Sequence, residues 1–232
     1  MYDVSVIILC YNRLDYTKKC YASLLNNCPV NTEVIFVDNL STDGTREWLS
    51  SVKGGNVKVI LNDKNHYPAG GNRIGLKNAS MAKAYLLCDN DGFFDSDLWY
   101  KMGMMFLNDF PDVGIVGMRK SRWQVPGPEG IKLYNGVEYK ETERVASFSL
   151  LRPEVAVRIS MRLRGRWIGH VIAKIAKMQG YKSVRLENGY IIDQSDEDFD
   201  NPEYREQYEK LWTEKKRLKE FFRRIDILKD EK

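Results

Sequence analysis

The stretch Val-Ile-Phe-Val-Asp-Asn-Leu-Ser-Thr-Asp-Gly-Thr, residues 34–45, decides the fold that this sequence predicts. It begins with an apolar run typical of a buried strand, and the run ends in the acidic Asp38. The polar residues that follow are good helix caps, and a helical pattern continues over Thr45–Val52. A strand, a polar turn and a helix in this order form one unit of an α/β fold.

The same alternation extends in both directions from this unit. In chain order, the predicted elements are strand Val4–Leu9, helix Tyr16–Leu25, strand Val34–Val37, helix Thr45–Val52, strand Val57–Leu61, helix Ala69–Ala79, strand Ala84–Cys88, helix Asp97–Leu107 and strand Val113–Met118. This alternation predicts a mostly parallel, Rossmann-like sheet flanked by helices. Ligands of such sheets bind beyond the carboxyl ends of the strands, so the residues that follow each strand are the candidates for a site.

Beyond residue 118 this rhythm breaks. A stretch rich in proline and glycine, from Pro126 to Gly136, predicts a long loop over the sheet. After it we expect strand Val145–Leu150, helix Trp167–Met178, short strands Ser183–Leu186 and Tyr190–Ile192, and a charged helix from about Pro202 to Arg224. The chain is therefore predicted to form one catalytic domain over residues 1–200, with a nucleotide-binding half (1–120) and an acceptor-side half (121–200), followed by a C-terminal charged helix (201–232).

Composition and charge narrow the class of protein. With 232 residues, 43% of them hydrophobic, the chain is long enough to bury a full core. The net charge of +4 is mild. The basic residues of the chain gather in its later part, which favours an anionic partner. We expect no nucleic-acid binding. The N-terminus lacks the basic lead of a signal peptide, and no apolar run approaches the roughly 20 residues that span a bilayer. We therefore expect a cytoplasmic protein.

The segment Tyr85–Asp91 carries the clearest chemical signal. A buried strand there ends in two carboxylates two residues apart, Asp89 and Asp91. Residues i and i+2 of an extended chain point to the same side, so the two acids can share one hard divalent cation. Such a cation would neutralise a diphosphate leaving group. The alternative is a simple turn, because Asp-Asn-Asp-Gly is also good turn chemistry.

Two further segments are candidates for nucleotide binding. Asp38 can accept hydrogen bonds from a base or a ribose, or it can merely close a turn before the capped helix. The glycine-rich run 65–75 leads into a helix that carries Arg73, and its glycines permit close backbone approach while the arginine can meet phosphate charge. Its glycine spacing is not that of the dinucleotide motif.

In this order, the segments resemble the family 2 glycosyltransferases, which have the GT-A fold. Residues 4–13 look like the opening strand of that family, residues 37–45 match its second-strand motif, and residues 86–91 occupy its DxD position. The resemblance covers residues 3–120 closely and the remainder loosely. It implies a single GT-A domain and the transfer of a sugar from a nucleotide diphosphate donor.

The resemblance also implies roles for individual residues. The nucleoside would be held by Tyr11, Asn12, Arg13 and Asp38. The nucleoside or the diphosphate would also have Asn72 and Arg73 nearby, and Asn90 would take part in donor binding. Mn²⁺ or Mg²⁺ would be held by Asp89 and Asp91 through the donor phosphates. The donor would be a UDP-, dTDP- or GDP-sugar, and the acceptor a glycan, a lipid-linked molecule or a protein. The Gly-Gly-Asn spelling at residues 70–72 is similar to that of rhamnosyltransferase-like members, which favours a deoxyhexose.

The second half departs from the family at two chemically important places. Relatives carry an acidic pair that includes the base where this chain has Ile168 and Gly169. His170 is the candidate substitute, because it points about 200° away from Ile168, which belongs to the apolar stripe of its helix, and an imidazole suits general-base work. The alternative is a solvent-facing histidine. Where relatives place a late metal-binding histidine, Asp193 stands instead, either as an oxygen ligand or as the first residue of an acidic loop.

These observations favour an inverting glycosyltransferase of polysaccharide or glycan biosynthesis. A retaining GT-A enzyme, a sugar-phosphate nucleotidyltransferase and a non-catalytic sugar-nucleotide binding module are the alternatives, although Tyr11-Asn12-Arg13 does not match the glycine-rich loop of the nucleotidyltransferases. The apolar spacing in the C-terminal helix predicts either peripheral contact with an anionic membrane or docking on its own domain or a second copy in a homodimer.

Overall fold

The architecture is that of a computed structural model, which describes residues 1–120, 130–145, 147–164 and 168–194. The chain divides into two compact units, Met1–Asp193 and Gln194–Lys232. The predicted charged helix from Pro202, the acidic segment after Gln194 and the proline-rich part of the predicted loop lie outside the described residues.

The first half of the chain folds as successive βα units. Its elements are β1 (Val4–Cys10), α1 (Leu14–Asn26), β2 (Thr32–Asp38), α2 (Thr45–Ser51), β3 (Val57–Leu61), α3 (Tyr67–Asn78), β4 (Tyr85–Asp89), β5 (Gly92–Phe93), α4 (Leu98–Asp109) and β6 (Val113–Gly117). Every helix predicted in this half is present. The predicted boundaries differ by two residues at the starts of α1, β2 and α3, which begin earlier than predicted, and at the end of α4, which extends to Asp109.

The second half adds short strands and two helices. Its elements are β7 (Arg119–Lys120), β8 (Lys132–Tyr134), β9 (Val137–Glu141), β10 (Ser149–Leu151), α5 (Pro153–Arg162), α6 (Gly169–Lys177), β11 (Lys182–Leu186) and β12 (Ile191–Asp193). None of the helices in the described residues is both long and apolar enough to cross a bilayer.

A nine-stranded sheet in the order β3-β2-β1-β4-β10-β6-β11-β9-β8 forms the centre of the first unit. Strands β3, β2, β1 and β4 are parallel neighbours, as are β6 and β11, whereas β10 is antiparallel to both β4 and β6. A second sheet has the order β5-β12-β7. The prediction of a mostly parallel α/β sheet flanked by helices is confirmed.

The central strand β1 is buried on both of its faces. Alternate residues such as Val6 and Ile8 pack into a cluster with α1, α2 and α4, while Ile7 and Leu9 pack into a second cluster with α3, α5 and α6. Helices therefore cover both sides of the sheet, which explains why the parallel strands are continuous apolar runs rather than alternating ones.

The glycines of the run 65–75 allow α3 to pack closely on β1. A Cβ on Gly71 would stand 2.3 Å from Leu9 Cδ1, and a Cβ on Gly75 would stand 2.3 Å from Ile7 Cγ2. Both contacts are far too short for a side chain. These two glycines serve helix–strand packing, so the close approach that the sequence predicted is to the sheet.

Three parts of the second half differ from the sequence prediction. The strand predicted over Val145–Leu150 is β10, which begins four residues later at Ser149. The predicted loop up to Gly136 is wrong from Lys132 onward, because β8 and the following β9 form a hairpin there. Asn135 and Gly136, with φ of 48° and 79°, make the two-residue turn, and Asn-Gly is the strongest short-range hairpin signal. Helix α5 was not predicted at all, although it begins with Pro153 at its first position.

Glu33 on β2 anchors a polar network inside this sheet. Its carboxylate, which is 1% exposed, accepts hydrogen bonds from Ser5 Oγ (2.6 Å), from Ser80 N (2.9 Å) and Oγ (2.7 Å), and pairs with Lys58 Nζ at 2.8 Å. Burial raises the pKa of Glu33, but the bonds from Lys58, Ser5 and Ser80 together outweigh it and leave the pKa below its ordinary value. The ionised form therefore stabilises the fold.

We expect Glu33→Gln to lower the free energy of unfolding by about 1–3 kcal/mol at pH 7.5, because neutral Gln cannot satisfy four donors. The folded pKa is depressed, so this stability is present above pH 4.5 and is lost as the pH falls through the folded value. Urea denaturation at pH 7.5 and pH 4 should show the difference shrinking in acid. The control Glu141→Gln, in an exposed pair with Lys132, should change stability by less than about 1 kcal/mol. Equal effects of the two substitutions would contradict the role of Glu33.

Candidate functional site at the carboxyl edge of the sheet

The register of three parallel strands brings their carboxyl ends to one edge. Cys10 at the end of β1 is opposite Asp38 at the end of β2, and Leu9 is opposite Asp89 at the end of β4. The loops that begin at Tyr11, Asn39 and Asn90 are consequently neighbours. This is the position at which ligands bind in parallel α/β sheets.

Asp38 organises the loop after β2. Its side chain is fully buried and accepts hydrogen bonds from the backbone N–H groups of Leu40 and Ser41, at 3.2–3.3 Å. The Arg46 guanidinium donates to the same carboxylate at 2.8 Å and to the Asn62 carbonyl at 2.8 Å. These contacts match the turn-closing alternative, and the nucleoside contact of Asp38 stays a prediction. Arg46 was not singled out in the sequence.

Asn12 ties the loops after β1, β2 and β4 together. Its N–H donates to Ser41 Oγ at 2.8 Å, and its Oδ1 accepts from Thr42 N at 2.8 Å. Its carbonyl accepts from Asn90 Nδ2 at 2.7 Å, and that amide also donates to Thr17 Oγ1 at 2.7 Å. Asn12 and Asn90 thus set the positions of the residues around them, whereas the neighbouring Tyr11 is 53% exposed.

Asp91 lies in an environment that disfavours its charge. Arg13 Nη1 pairs with Asp91 Oδ2 at 2.8 Å. Burial, followed by the charges of the neighbouring carboxylates Asp193 and Asp89, nevertheless raises the pKa of Asp91 to about 7 against the lowering effect of Arg13. The site therefore holds more negative charge than its own cations neutralise.

The second sheet brings Asp193 into this group. β12 pairs with β5 so that Asp193 is opposite Gly92, the residue after Asp91. Arg119 on β7 pairs with Asp193 at 2.5 Å. The pKa of Asp89 is raised above its ordinary value, because burial and the charge of Asp193 together outweigh the lowering effect of the hydrogen bond from Ser147. The three carboxylates thus interact, although 102 residues separate Asp91 from Asp193.

The donor set suits a hard divalent cation. Carboxylate oxygens are the ligands that Mg²⁺ and Mn²⁺ prefer, and the unbalanced negative charge is what a bound cation would relieve. Each acid is meanwhile held by its own partner: Asp89 accepts from Ser147 Oγ, Asp91 pairs with Arg13, and Asp193 pairs with Arg119. In the described part of the chain, no three His, Cys, Asp or Glu side chains are already arranged around a metal position. Binding would require these carboxylates to turn toward one another.

Asn72 and Arg73 lie on α3, which packs against the same edge. Asn72 is 1% exposed, and its Nδ2 donates to the Pro68 carbonyl at 2.9 Å. Its Oδ1 is buried and accepts no hydrogen bond from the residues that the structure describes. A buried acceptor in that state is costly unless a ligand or water supplies a donor. Arg73 is half-buried.

Unusual backbone conformations concentrate around this edge. Six non-glycine residues have positive φ within the described ranges: Asn12, Arg13, Leu40, Tyr67, Asn135 and Phe148. Asn135 is in the hairpin turn, while the other five follow β1 and β2, begin α3, or adjoin Ser147. Such conformations persist where the surroundings enforce them and are frequent at functional sites.

His170 lies in the first turn of α6 and is exposed. It lines a cavity of about 780 Å³ together with Glu141, Glu143, Lys174, Lys177 and Lys182. The residue before it approaches the segment that leads to Ser147, because a Cβ on Gly169 would stand 3.3 Å from the Val145 carbonyl. None of the described residues that line the cavity belongs to the strand-end site. The role of His170 as a base stays a prediction.

Three residues of this site escaped the sequence analysis: Arg46, Arg119 and Ser147. Arg46 follows a capping cluster and had a detectable signal, since a cation in the first turn of a helix can reach back to the strand-end acid. Ser147 is 58 residues from its partner Asp89, and no local pattern indicates that contact.

Comparison with known proteins agrees with this geometry. A sequence profile described as "Glycosyl transferase family 2" matches residues 5–154. An uncharacterized glycosyltransferase of Rickettsia bellii (strain RML369-C) is 33% identical over 107 residues, 46% of this chain and 16% of that protein. A chondroitin synthase of Pasteurella multocida (strain Pm70) is 29% identical over 144 residues, 61% of this chain and 14% of that protein. The chain thus spans about a sixth of the length of these relatives.

Solved structures share the fold. A mannosyltransferase from Pyrobaculum calidifontis in complex with GDP-Man and Mn²⁺ has a TM-score of 0.65 and 17% identity, over 83% of this chain and 56% of that one. Residues 1–349 of S. aureus TarS in complex with UDP-GlcNAc have a TM-score of 0.61 and 18% identity, over 83% of this chain and 58% of that one.

We expect Asp91→Asn to stabilise the chelator-treated protein at pH 8 and to have a much smaller effect at pH 5. The pKa of Asp91 rises from 3.8 to about 7 on folding, so folding is opposed increasingly from pH 4 to pH 7 and constantly above it. Asn resembles the protonated acid and removes this cost, on the order of 1–4 kcal/mol at pH 8. Denaturation curves at both pH values measure it.

The control for this substitution is Asp63→Asn, because the Asp63 side chain is 91% exposed. It should shift stability by less than about 0.5 kcal/mol at either pH. A lower stability of Asp91→Asn at pH 8 would show that the Arg13 pair outweighs the repulsion, contrary to our reading of the site.

Proposed function

Because this chain belongs to glycosyl transferase family 2, we propose that it transfers a sugar from a nucleoside diphosphate sugar to an acceptor hydroxyl, with the donor bound at the carboxyl edge of the sheet. The observation that carries the proposal is the group of interacting carboxylates at this edge, which has arginines on its border and excess negative charge.

We infer that Asp89, Asp91 and Asp193 hold a divalent cation, Mn²⁺ or Mg²⁺. When bound, the cation would neutralise the negative charge that develops on the departing nucleoside diphosphate. Arg13 and Arg73 supply further positive charge for phosphate oxygens. The Mn²⁺ and GDP-Man of the mannosyltransferase and the UDP-GlcNAc of TarS support this donor class, which includes UDP-, dTDP- and GDP-sugars.

The nucleoside is assigned to the loops after β1 and β2 and to the first turns of α3. Tyr11 offers an exposed ring, and Asn72 offers a buried acceptor. Asp38 needs a small movement to reach a base, because its carboxylate is fully buried. Asn12 and Asn90 position the loops around the donor. The sugar itself is a hexose or deoxyhexose.

The transfer is proposed to invert the anomeric carbon, with His170 removing the proton of the attacking acceptor hydroxyl. Support comes from the position of His170 at the start of α6, next to the segment that leads to Ser147. An inverting reaction gives a product of the opposite anomeric configuration, and nuclear magnetic resonance of the product separates it from a retaining one. The chondroitin synthase relative supports a polysaccharide acceptor. We also propose that the protein is cytoplasmic, that it contacts a membrane peripherally and that it forms a homodimer.

We expect UDP-, dTDP- or GDP-sugars to raise the unfolding temperature only when Mn²⁺ or Mg²⁺ is present. A ligand at 100 times its Kd stabilises the folded state by about 3 kcal/mol, which thermal melts detect readily. Asp89→Asn should abolish the cation-dependent part, whereas the exposed control Asp63→Asn should retain it. Equal stabilisation in excess chelator would refute the cation assignment.

We expect His170→Ala to lower acceptor-dependent turnover by about 10²–10⁴-fold while the donor affinity changes little, because a positioned base acts on the chemical step. Initial rates and donor calorimetry measure the two quantities separately. Lys174→Ala, one turn along the same groove, is the control and should retain most of the turnover. Near-normal turnover of His170→Ala would eliminate this base and direct attention to Asp193 or to a retaining mechanism.

A further inference from the structure

Helix α5, which the sequence did not predict, has an unusual outward face. Its buried side consists of Val155, Ala156 and Ile159, which pack into the core. At 100° per residue, Val157 and Met161 lie on the opposite side of the helix, where they are 50% and 58% exposed. A surface helix normally carries polar residues on that side. The exposed apolar pair therefore indicates a surface that another molecule covers.

Two arginines lie beside this apolar pair. Arg158 directly follows Val157 in the chain, Arg162 directly follows Met161, and both arginine side chains are exposed. Among the residues that the structure describes, neither arginine has an ion-pair partner. The one acid of this helix is Glu154, in its first turn. The outward face of α5 thus combines exposed apolar groups with a net positive charge.

The whole helix layer that contains α5 is basic. Helices α3, α5 and α6 cover one side of the sheet, and α5 packs against each of the other two. Together these three helices carry six Lys or Arg residues and one acid. The helices on the other side, α1, α2 and α4, carry four such cations and three acids. Positive charge is therefore concentrated on the side of the sheet to which α5 belongs.

This combination of groups selects the chemistry of the partner. A second copy of the same face would place arginines against arginines, and like charges across an interface are unfavourable. A soluble polyanion would neutralise the arginines but would leave Val157 and Met161 in water. The surface of an anionic bilayer suits both kinds of group, because its phosphates attract cations and its headgroup boundary accepts apolar side chains.

The course of α5 relates this face to the donor site. Strand β10 is antiparallel to β4, so it runs from the carboxyl edge of the sheet to the amino edge, and α5 follows it directly. The helix then returns across the sheet. Met161 and Arg162, in its last turn, consequently lie nearer the carboxyl edge than Pro153 does. A membrane at this face would lie on the same side of the sheet as the returning helix that approaches the donor site.

We propose that the outward face of α5 binds an anionic membrane surface, with Val157 and Met161 at the headgroup boundary and Arg158 and Arg162 on lipid phosphates. The assignment rests on the proposed function, because it gives a surface to the peripheral membrane contact proposed there. It places that contact on a helix of the first unit, whereas the sequence indicated the C-terminal charged helix. Donor binding does not depend on it, since these four side chains lie outside the strand-end site.

The test measures how the full chain sediments with lipid vesicles. One set of vesicles is phosphatidylcholine alone, and in the other set phosphatidylglycerol replaces a third of the lipid. The arginine variant combines Arg158→Gln with Arg162→Gln, and the apolar variant combines Val157→Ser with Met161→Ser. All four side chains are exposed, so thermal melts should show unchanged stability.

Matched controls come from α1, in the helix layer on the other side of the sheet. Lys18→Gln combined with Lys19→Gln removes two exposed cations, and Leu25→Ser removes a side chain that is 53% exposed. Donor binding is followed separately, as the shift in unfolding temperature that a nucleotide sugar produces with Mn²⁺. This second readout tests the proposed function without any lipid.

We expect the wild-type chain to bind the anionic vesicles far more tightly than the neutral ones. The arginine variant should bind them at least about tenfold more weakly, because one basic residue near an anionic surface contributes about fivefold. The apolar variant should bind at least about threefold more weakly, because binding also scales with the apolar area that is buried. Both controls should bind like the wild type, and all variants should keep the donor-dependent shift.

Three results would overturn the assignment to α5 and leave the proposed function intact: a wild-type chain that ignores anionic vesicles, equal binding by both double variants, or a loss confined to the arginine variant, which marks a polyanion contact without lipid insertion. A dimer that the apolar variant alone loses, with no vesicle binding, would show that a second copy covers this face. A wild-type chain that binds anionic vesicles through α5 but shows no donor-dependent shift would instead contradict the proposed function alone.

Discussion

The parallel register of β1 with β2 and β4 is the constraint on which the rest of the structure depends. Because β1 is buried on both faces, a shift of one residue would exchange its two core faces, so packing allows a single alignment. That alignment places the ends of the three strands at one edge. The polar residues after each strand are therefore brought together by the strand register and not by attraction between them. The packing of the core offsets the unfavourable electrostatic free energy of placing their charges close together.

Bringing the three carboxylates together destabilises the folded protein, and the surrounding residues offset this destabilisation only in part. Ser147, Arg13 and Arg119 each hold one of the three acids, yet the pKa of Asp91 stays near 7 because burial and the other two carboxylates outweigh Arg13. The acids and their partners therefore form an incomplete set that retains an excess of negative charge. The proposed cation would complete it, and the arginines would then be available to the donor phosphates.

The backbone around the site carries a comparable cost. Five non-glycine residues with positive φ surround the edge, and hydrogen bonds from Asn12 and Asn39 fix the loops that contain or adjoin most of them. Hydrogen bonds that join three loops in this way leave little freedom for relaxation. Strain of this kind is retained where side chains must point in a set direction, which links the local geometry to the proposed contacts with the nucleotide.

The sequence by itself determined the first half of the fold and the strand-end acids, because the periods of buried strands and helices and the residues that follow them are local properties. It also contained the Asn135-Gly136 hairpin signal, although the surrounding prolines and glycines masked it. Tertiary structure alone decided which acids interact. Asp193 joins Asp89 and Asp91 through the pairing of β12 with β5, and Ser147 reaches Asp89 through the insertion of β10 beside β4. The family resemblance had indicated Asp193 as a candidate ligand, but strand pairing between distant segments leaves no periodic trace in a single chain. Those contacts, the raised pKa of Asp91 and the orphaned Asn72 Oδ1 could therefore be found only in the folded molecule.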